Sequence, residues 1–259
     1  MIDVQNFSDK RNVCLDKVGV RDVKIPLKIK DRSLKFQRVA ASVDCFVDLP
    51  HSFRGTHMSR FVEVLFEKKG ALFSAKSVRG ILVEMKKKLK ADSAHIVVRF
   101  PYFMEKVSPI SGKKSMMSYE CTFFGDFCES FEFMIEVKVP VSTLCPCSKE
   151  ISRFGAHNQR GIVIVLVRCS GFVWIEEIVK MAEDSCSSPV YPLLKRVDEK
   201  FVTEKMYEKP MFVEDVVRDV VLKLEKDERI SGFRVECENF ESIHAHNAYA
   251  MVDRLKQRA

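Results

Sequence analysis

The sequence predicts an α+β protein made of two tandem antiparallel-sheet modules, each with helices on one face. Three patterns carry that prediction. Residues 39–49 alternate, with Val43, Cys45, Val47 and Leu49 on one side and Ser42, Asp44, Phe46 and Asp48 on the other, the period of a strand with one wet face. Helical spacing follows, first in Phe61, Val62, Leu65 and Phe66, then in Val78, Ile81, Leu82, Met85 and Leu89. The order of strand, helices and strands then recurs after about residue 160 without a close sequence repeat.

Taken in order, residues 1–35 read as a polar, extended arm with short apolar pieces. Pro50 closes the first strand. Ser59 is placed to cap the first helix, and Ser74 or Ser77 the second. Two long strands are expected at 95–106 and 117–141, with Asp126 beside Gly125 turning or bulging the pair. Residues 162–169 form a continuous apolar strand, and Ile175, Ile178, Val179 and Ala182 mark a helix. After an irregular segment, Val213, Val216, Val217, Val220, Val221 and Leu224 mark another helix. Phe233, Val235 and Cys237 alternate in a strand, and 243–251 reads as the last one. The modules are expected over 36–150 and 151–259, joined near the loop at 145–160.

Composition narrows the function classes. Of 259 residues, 46% are hydrophobic and 31% charged, as in a globular domain with a proper core. No run approaches the roughly 20 apolar residues of a membrane span. Nine cysteines, an odd number, without a secretory-type leader imply a reducing cytoplasm rather than a disulfide framework. Cys45, Cys121, Cys128, Cys169 and Cys237 sit in strand-like runs and read as core or near-core thiols. The formal charge of +7 comes with no arginine-rich tail and no aromatic RNP-like motif. A small phosphorylated molecule is therefore the more economical partner than a nucleic acid.

The densest chemistry lies at 144–161, where Cys145, Cys147 and His157 share a loop with Lys149, Arg153, Arg160 and two glycines. Thiolate and imidazole suit a borderline-soft cation. The spacing matches neither a zinc ribbon nor a finger, so an open site would need a third ligand from elsewhere. Glu199 lies in a highly charged stretch where an ordinary acid would be solvated. Glu214 starts a helix, where a carboxylate favours the positive end of the dipole. His244 and His246 are two apart and would share one face of a strand.

Asp-Leu-Pro-x-x-x-Arg-Gly-Thr-His-Met-Ser-Arg-Phe at 48–61, Cys-Pro-Cys-Ser-Lys-Glu-Ile-Ser at 145–152, Gly-Ala-His-Asn-Gln-Arg at 155–160 and Ile-His-Ala-His-Asn-Ala at 243–248 closely resemble the type IB GTP cyclohydrolase I family. The resemblance runs over about residues 15–255, with all four motifs in order. It implies the tunnelling fold, two such modules per subunit, and a homotetramer with active sites at subunit interfaces. It also implies conversion of GTP and water to 7,8-dihydroneopterin triphosphate and formate, the first step of tetrahydrofolate synthesis.

Residue by residue, the resemblance makes Cys145, His157 and Glu199 the ligands of a divalent metal, although the motif offers Cys147 beside Cys145. Zinc, manganese and iron all remain open. Glu214 becomes the anchor of the purine edge, and His244 and His246 acid/base residues. Arg54, His57, Arg60 and Lys149 are the cations expected at the triphosphate, by their own chemistry at a helix start and beside the metal loop. Two related activities are rivals: an archaeal-type cyclohydrolase yielding a cyclic phosphate, and a metal-free nitrile reductase with a cysteine nucleophile.

Overall fold

The computed structural model describes residues 5, 7, 9–67, 70 and 72–255. Positions 1–4, 6 and 8 of the expected N-terminal arm, and 256–259 at the end of the second expected module, lie outside the described residues. The chain clusters into two units, one of Met1–Pro101 and Thr122–Met134, the other of Tyr102–Cys121 and Ile135–Ala259. Each unit is a mixed α+β body. Three long strands, β4 (Ala94–Val107), β5 (Lys114–Phe127) and β6 (Phe131–Leu144), contribute residues to both.

In the first unit, β1 (Leu15–Asp31) pairs antiparallel with β2 (Lys35–Leu49), Ile25 opposite Ala41 and Leu27 opposite Val39. Much of the arm expected from the sequence is thus a paired strand. The alternation in β2 buries Val39, Ala41, Val43, Cys45, Val47 and Leu49. Its other face is not uniformly wet, because Asp44 is only 3% exposed. A register shift between Val20 and Val23 turns the Asp22 N–H onto Asp44 Oδ1 at 2.8 Å, and Arg99 Nη1 donates to Oδ2 at 2.9 Å. Burial alone would raise the Asp44 pKa, but those donors outweigh it and hold the carboxyl below its ordinary value.

Helix α1 (Met58–Glu67) buries Phe61, Val64 and Leu65. It starts one residue before the expected cap Ser59, and its stripe is rotated so that Phe66 stays 45% exposed. After the short β3 (Leu72–Phe73), helix α2 (Ala75–Leu89) starts at the N-cap Ser74, whose N–H donates to Ser77 Oγ at 2.8 Å. Its core residues Val78, Ile81, Leu82 and Met85 are as expected, while Leu89 is only half-buried. Gly125 on β5 allows the close approach, since a Cβ there would come within 2.4 Å of Val78 Cγ1. The single strand expected at 117–141 is two strands, broken by a turn at 128–130.

The second unit has the strand order β10-β9-β7-β6-β5-β4, with the two-residue β8 (Ser188–Pro189) beside β6. Here β7 is Asn158–Cys169, β9 Ile230–Asn239 and β10 Ala248–Asp253. Helices α3 (Pro146–Ile151), α4 (Ile175–Glu183), α5 (Arg196–Glu208) and α6 (Val213–Leu224) complete it. The two apolar helices are as the sequence predicts, α4 burying Ile175, Ile178, Val179 and Ala182, and α6 burying Val213, Val216, Val217, Val220, Val221 and Leu224. Valine disfavours helix by less than about 0.7 kcal/mol per residue, whereas burying it contributes about 1.5–3 kcal/mol, so packing decides for helix.

Two helices were not legible as helices. α3 is only six residues long, inside the loop that follows β6. α5 is highly charged and buries little beyond Asp198 and Met206. The last strand starts at Ala248 rather than at 243, because its ladder with β9 begins at Ala248 opposite Asn239. Residues 240–247 therefore have no facing strand and form the connecting loop.

Candidate functional site

The site grows from the end of β6. The Met211 N–H donates to the Leu144 carbonyl at 3.0 Å, and the next residue, Cys145, donates its own N–H to the His157 carbonyl at 3.1 Å. That second bond closes the loop at 146–156. Pro146 opens α3 with φ already set for a helix. Cys145 caps it, Sγ accepting from the Ser148 N–H at 3.4 Å. Ser148 Oγ donates to the Cys145 carbonyl at 3.2 Å and accepts from the His157 N–H at 3.2 Å, so one hydroxyl ties both ends of the loop. Gly155, with φ of +80°, supplies the left-handed turn between them.

The His157 ring is only 14% exposed. Its Nδ1 lies 3.0 Å from Gln159 Oε1, 3.4 Å from Ser242 Oγ and 3.9 Å from Glu241 Oε2. With the amide oxygen of Gln159 and the carboxylate of Glu241 as its neighbours, the tautomer that this arrangement favours carries the proton on Nδ1, with the Nε2 lone pair left for a ligand. Gln159 is itself fixed from behind, Nε2 donating to the fully buried Thr143 Oγ1 at 2.8 Å.

An open cavity of about 330 Å³ adjoins this group, with Cys145, Gln159, Glu214, Asn239, Glu241 and Tyr249 among its lining residues. Glu214 is the second residue of α6. The adjacent Asp215 takes the Phe212 N–H at 3.1 Å, and the exposed Glu214 carboxylate, at the positive end of the dipole, has no side-chain partner among the described residues. The Tyr249 hydroxyl donates to Glu236 at 2.8 Å, and that bond raises its pKa.

The remaining expected residues are placed as follows. Cys147 is exposed and does not line the cavity. Glu199 is exposed in the first turn of α5. Its neighbour Asp198 is fully buried and accepts from the Ile110 N–H (2.9 Å), the Ser111 N–H (2.8 Å), Ser111 Oγ (2.6 Å) and the Lys195 N–H (2.8 Å). Burial pushes that carboxyl up, but the donors win and hold it well below the usual range. Among the described residues, no three His, Cys, Asp or Glu side chains are grouped to hold a metal ion.

His244 and His246 are exposed on the 240–247 loop, not on a strand, yet their rings stack with centroids 5.1 Å apart and planes 17° apart. Lys149 Nζ donates to the Tyr207 carbonyl at 2.6 Å and sits 4.4 Å above that ring. Arg54, His57 and Arg60 belong to the first unit, where Arg60 Nη1 donates to the Lys88 carbonyl at 3.0 Å. Gln159, Asn239 and Glu241 were not singled out from the sequence. The first lies inside a quoted motif and the third just before another, whereas Asn239 carries no sequence signal beyond ending a strand.

The type I GTP cyclohydrolase folE2 family matches this sequence over residues 1–250. A GTP cyclohydrolase FolE2 from Geobacter sulfurreducens is 54% identical over 259 residues, covering 100% of both chains. The GTP cyclohydrolase FolE2 of Syntrophus aciditrophicus is 52% identical over 98% of this chain and 100% of its own. Among solved structures, uricase from Arthrobacter globiformis superposes with a TM-score of 0.55 at 8% identity, covering 94% of this chain and 95% of that one. Urate oxidase from Bacillus sp. TB-90 gives 0.55 at 9% identity over 93% and 100%. That likeness shows the tunnelling fold, an α+β architecture, and nothing about chemistry.

Proposed function

Because the chain belongs to the type I GTP cyclohydrolase folE2 family, we infer that it hydrolyses GTP to 7,8-dihydroneopterin triphosphate and formate at the start of tetrahydrofolate synthesis. The observation that carries this reading is the cavity that joins Cys145 and the His157 loop to the uncommitted carboxylate of Glu214.

The donor chemistry fits a divalent metal. A thiol from Cys145 and Nε2 of His157 are tied together by one backbone hydrogen bond, and a soft thiolate with an imidazole suits zinc first, with manganese or iron also accommodated. Glu199 is our third ligand, and α5 holds it on a turn pinned by Asp198. A bound divalent metal would lower the pKa of its water towards about 7 and so supply hydroxide for attack on the purine carbon. Glu214 accepts from guanine N1–H and the 2-amino group, fixing the base and discriminating against adenine. His244 carries protons to and from the opening imidazole ring, since one imidazole nitrogen can accept a proton while the other donates, and His246 stacks against it to orient it. Arg54, His57, Arg60 and Lys149 neutralise the triphosphate. A homotetramer with interface sites lets the first three serve a neighbouring subunit, and the reaction takes place in the cytoplasm.

The test is incubation of metal-free protein with GTP and zinc, manganese or iron(II) in turn, following formate release and pterin fluorescence after oxidation. A product mass of 7,8-dihydroneopterin triphosphate is expected. No formate with any metal, or a cyclic phosphate as product, refutes the reading.

A further inference from the structure

The wall of the cavity contains a polar side chain that the mechanism above does not use. Asn239 ends β9, between Gly161 of β7 and Ala248 of β10, and it is 2% exposed while lining the cavity. Its position is enforced. A Cβ on Gly161 would fall 2.4 Å from Asn239 Oδ1 and 2.7 Å from the Glu238 carbonyl, so glycine at 161 leaves the room that the amide fills. Oδ1 receives only the Cys237 Sγ–H, a weak contact at 3.9 Å. Burial pushes the Cys237 thiol up to about 12, so it stays a donor and holds the oxygen of the amide on its side. The amide nitrogen has no acceptor among the described residues.

Two other polar side chains on that wall are already engaged. Gln159 is spent on His157 and Thr143, and the Tyr249 hydroxyl on Glu236. The guanine edge presents two donors, the 2-amino group and N1–H, followed by one acceptor, O6. A carboxylate can take both donors but would leave O6 without a partner, and an unsatisfied buried acceptor is costly.

We propose that the Asn239 amide donates to O6 of guanine and completes the reading of the base that Glu214 begins. This rests on the assignment of Glu214 to the guanine edge. Asn239 is then a specificity-determining residue of the same site, held in place by Gly161.

The experiment compares kcat/KM for GTP and for 6-thio-GTP, which keeps N1–H and the 2-amino group but replaces O6 by a weakly accepting sulfur. The metal-loaded wild type should prefer GTP by about 3- to 10-fold, as for one neutral hydrogen bond. Asn239→Ala and Asn239→Ser should bring the ratio close to one with bound metal unchanged. A ratio near one in the wild type, or a wild-type ratio in either folded variant, overturns the proposal. If both variants misfold, Asn239→Asp, which keeps the shape and replaces the amide donor by an acceptor, takes their place, and a wild-type ratio in it overturns the proposal. If the wild type turns over GTP while Glu214→Gln handles GTP as well as the wild type, the guanine assignment beneath the proposal falls first.

Discussion

Replacing Gln159 by leucine tests whether the network behind His157 matters to the metal. Leucine keeps the volume, deletes the acceptor 3.0 Å from His157 Nδ1 and strands the Thr143 hydroxyl, which is fully buried. Two separable effects follow. Losing the partner of a buried hydroxyl costs about 1–3 kcal/mol of stability, a fall of roughly 2–10 °C in Tm for a chain of this size. Losing the group that fixes a ligand histidine typically costs about 10- to 100-fold in metal affinity. Gln159→Glu restores an acceptor for Nδ1 and lets the Thr143 hydroxyl turn round to donate, so metal affinity should return even if stability does not. The assay is zinc titration of metal-free protein against a competing chelator, alongside nitrogen NMR of the His157 ring to read its tautomer. Unchanged zinc affinity in folded Gln159→Leu, or a ring already protonated on Nε2 in the wild type, would refute the reasoning.

Other consequences are as direct. Cys145→Ala should abolish turnover and bring bound metal well below one per subunit, while Cys147→Ala, at an exposed position, should keep more of both; the opposite pattern by metal analysis transfers the ligand to Cys147. His244→Ala should bind GTP and metal nearly normally and lose at least about 10²-fold in kcat, with His246→Ala milder. Loss of metal in proportion to activity would instead make His244 a ligand. Glu214→Gln should weaken GTP by about 1.5–3 kcal/mol at normal metal content, measured by KM and inhibitor binding. Asp198 is held below its ordinary pKa of 3.8, so its contribution to stability is complete at neutral pH and is lost as pH falls below about 4. Asp198→Asn should destabilise the protein at pH 7 and narrow that gap on acidification; equal Tm differences at pH 7 and pH 3 would contradict this.

Periodicity and motif chemistry by themselves determined a good deal here. The β2 core, the apolar faces of α2, α4 and α6, and the α+β class follow from spacing, because burying an apolar stripe outweighs local propensity. The four motifs pointed to the family on residue identity alone, and the match over residues 1–250 agrees with them. Other features depended on which groups meet in space. The alternation at 243–251 looks like a strand, yet pairing starts only at Ala248, since a strand needs a facing ladder and residues 240–247 have none. The charged stretch at 196–208 lacks an apolar stripe and becomes a helix because Asp198, fully buried, is met by the Ser108–Lys113 turn and by the Lys195 N–H. Asp44 sits in phase with polar neighbours but is buried by a bulge in the neighbouring strand β1, where the Asp22 N–H turns onto it, and no pattern within β2 reports that. The Gln159 brace on His157 comes from the start of β7, while the carboxylate of Glu241 beside it and the amide of Asn239 in the cavity wall come from the end of β9. Their convergence is a property of tertiary hydrogen bonding, which sequence spacing does not encode.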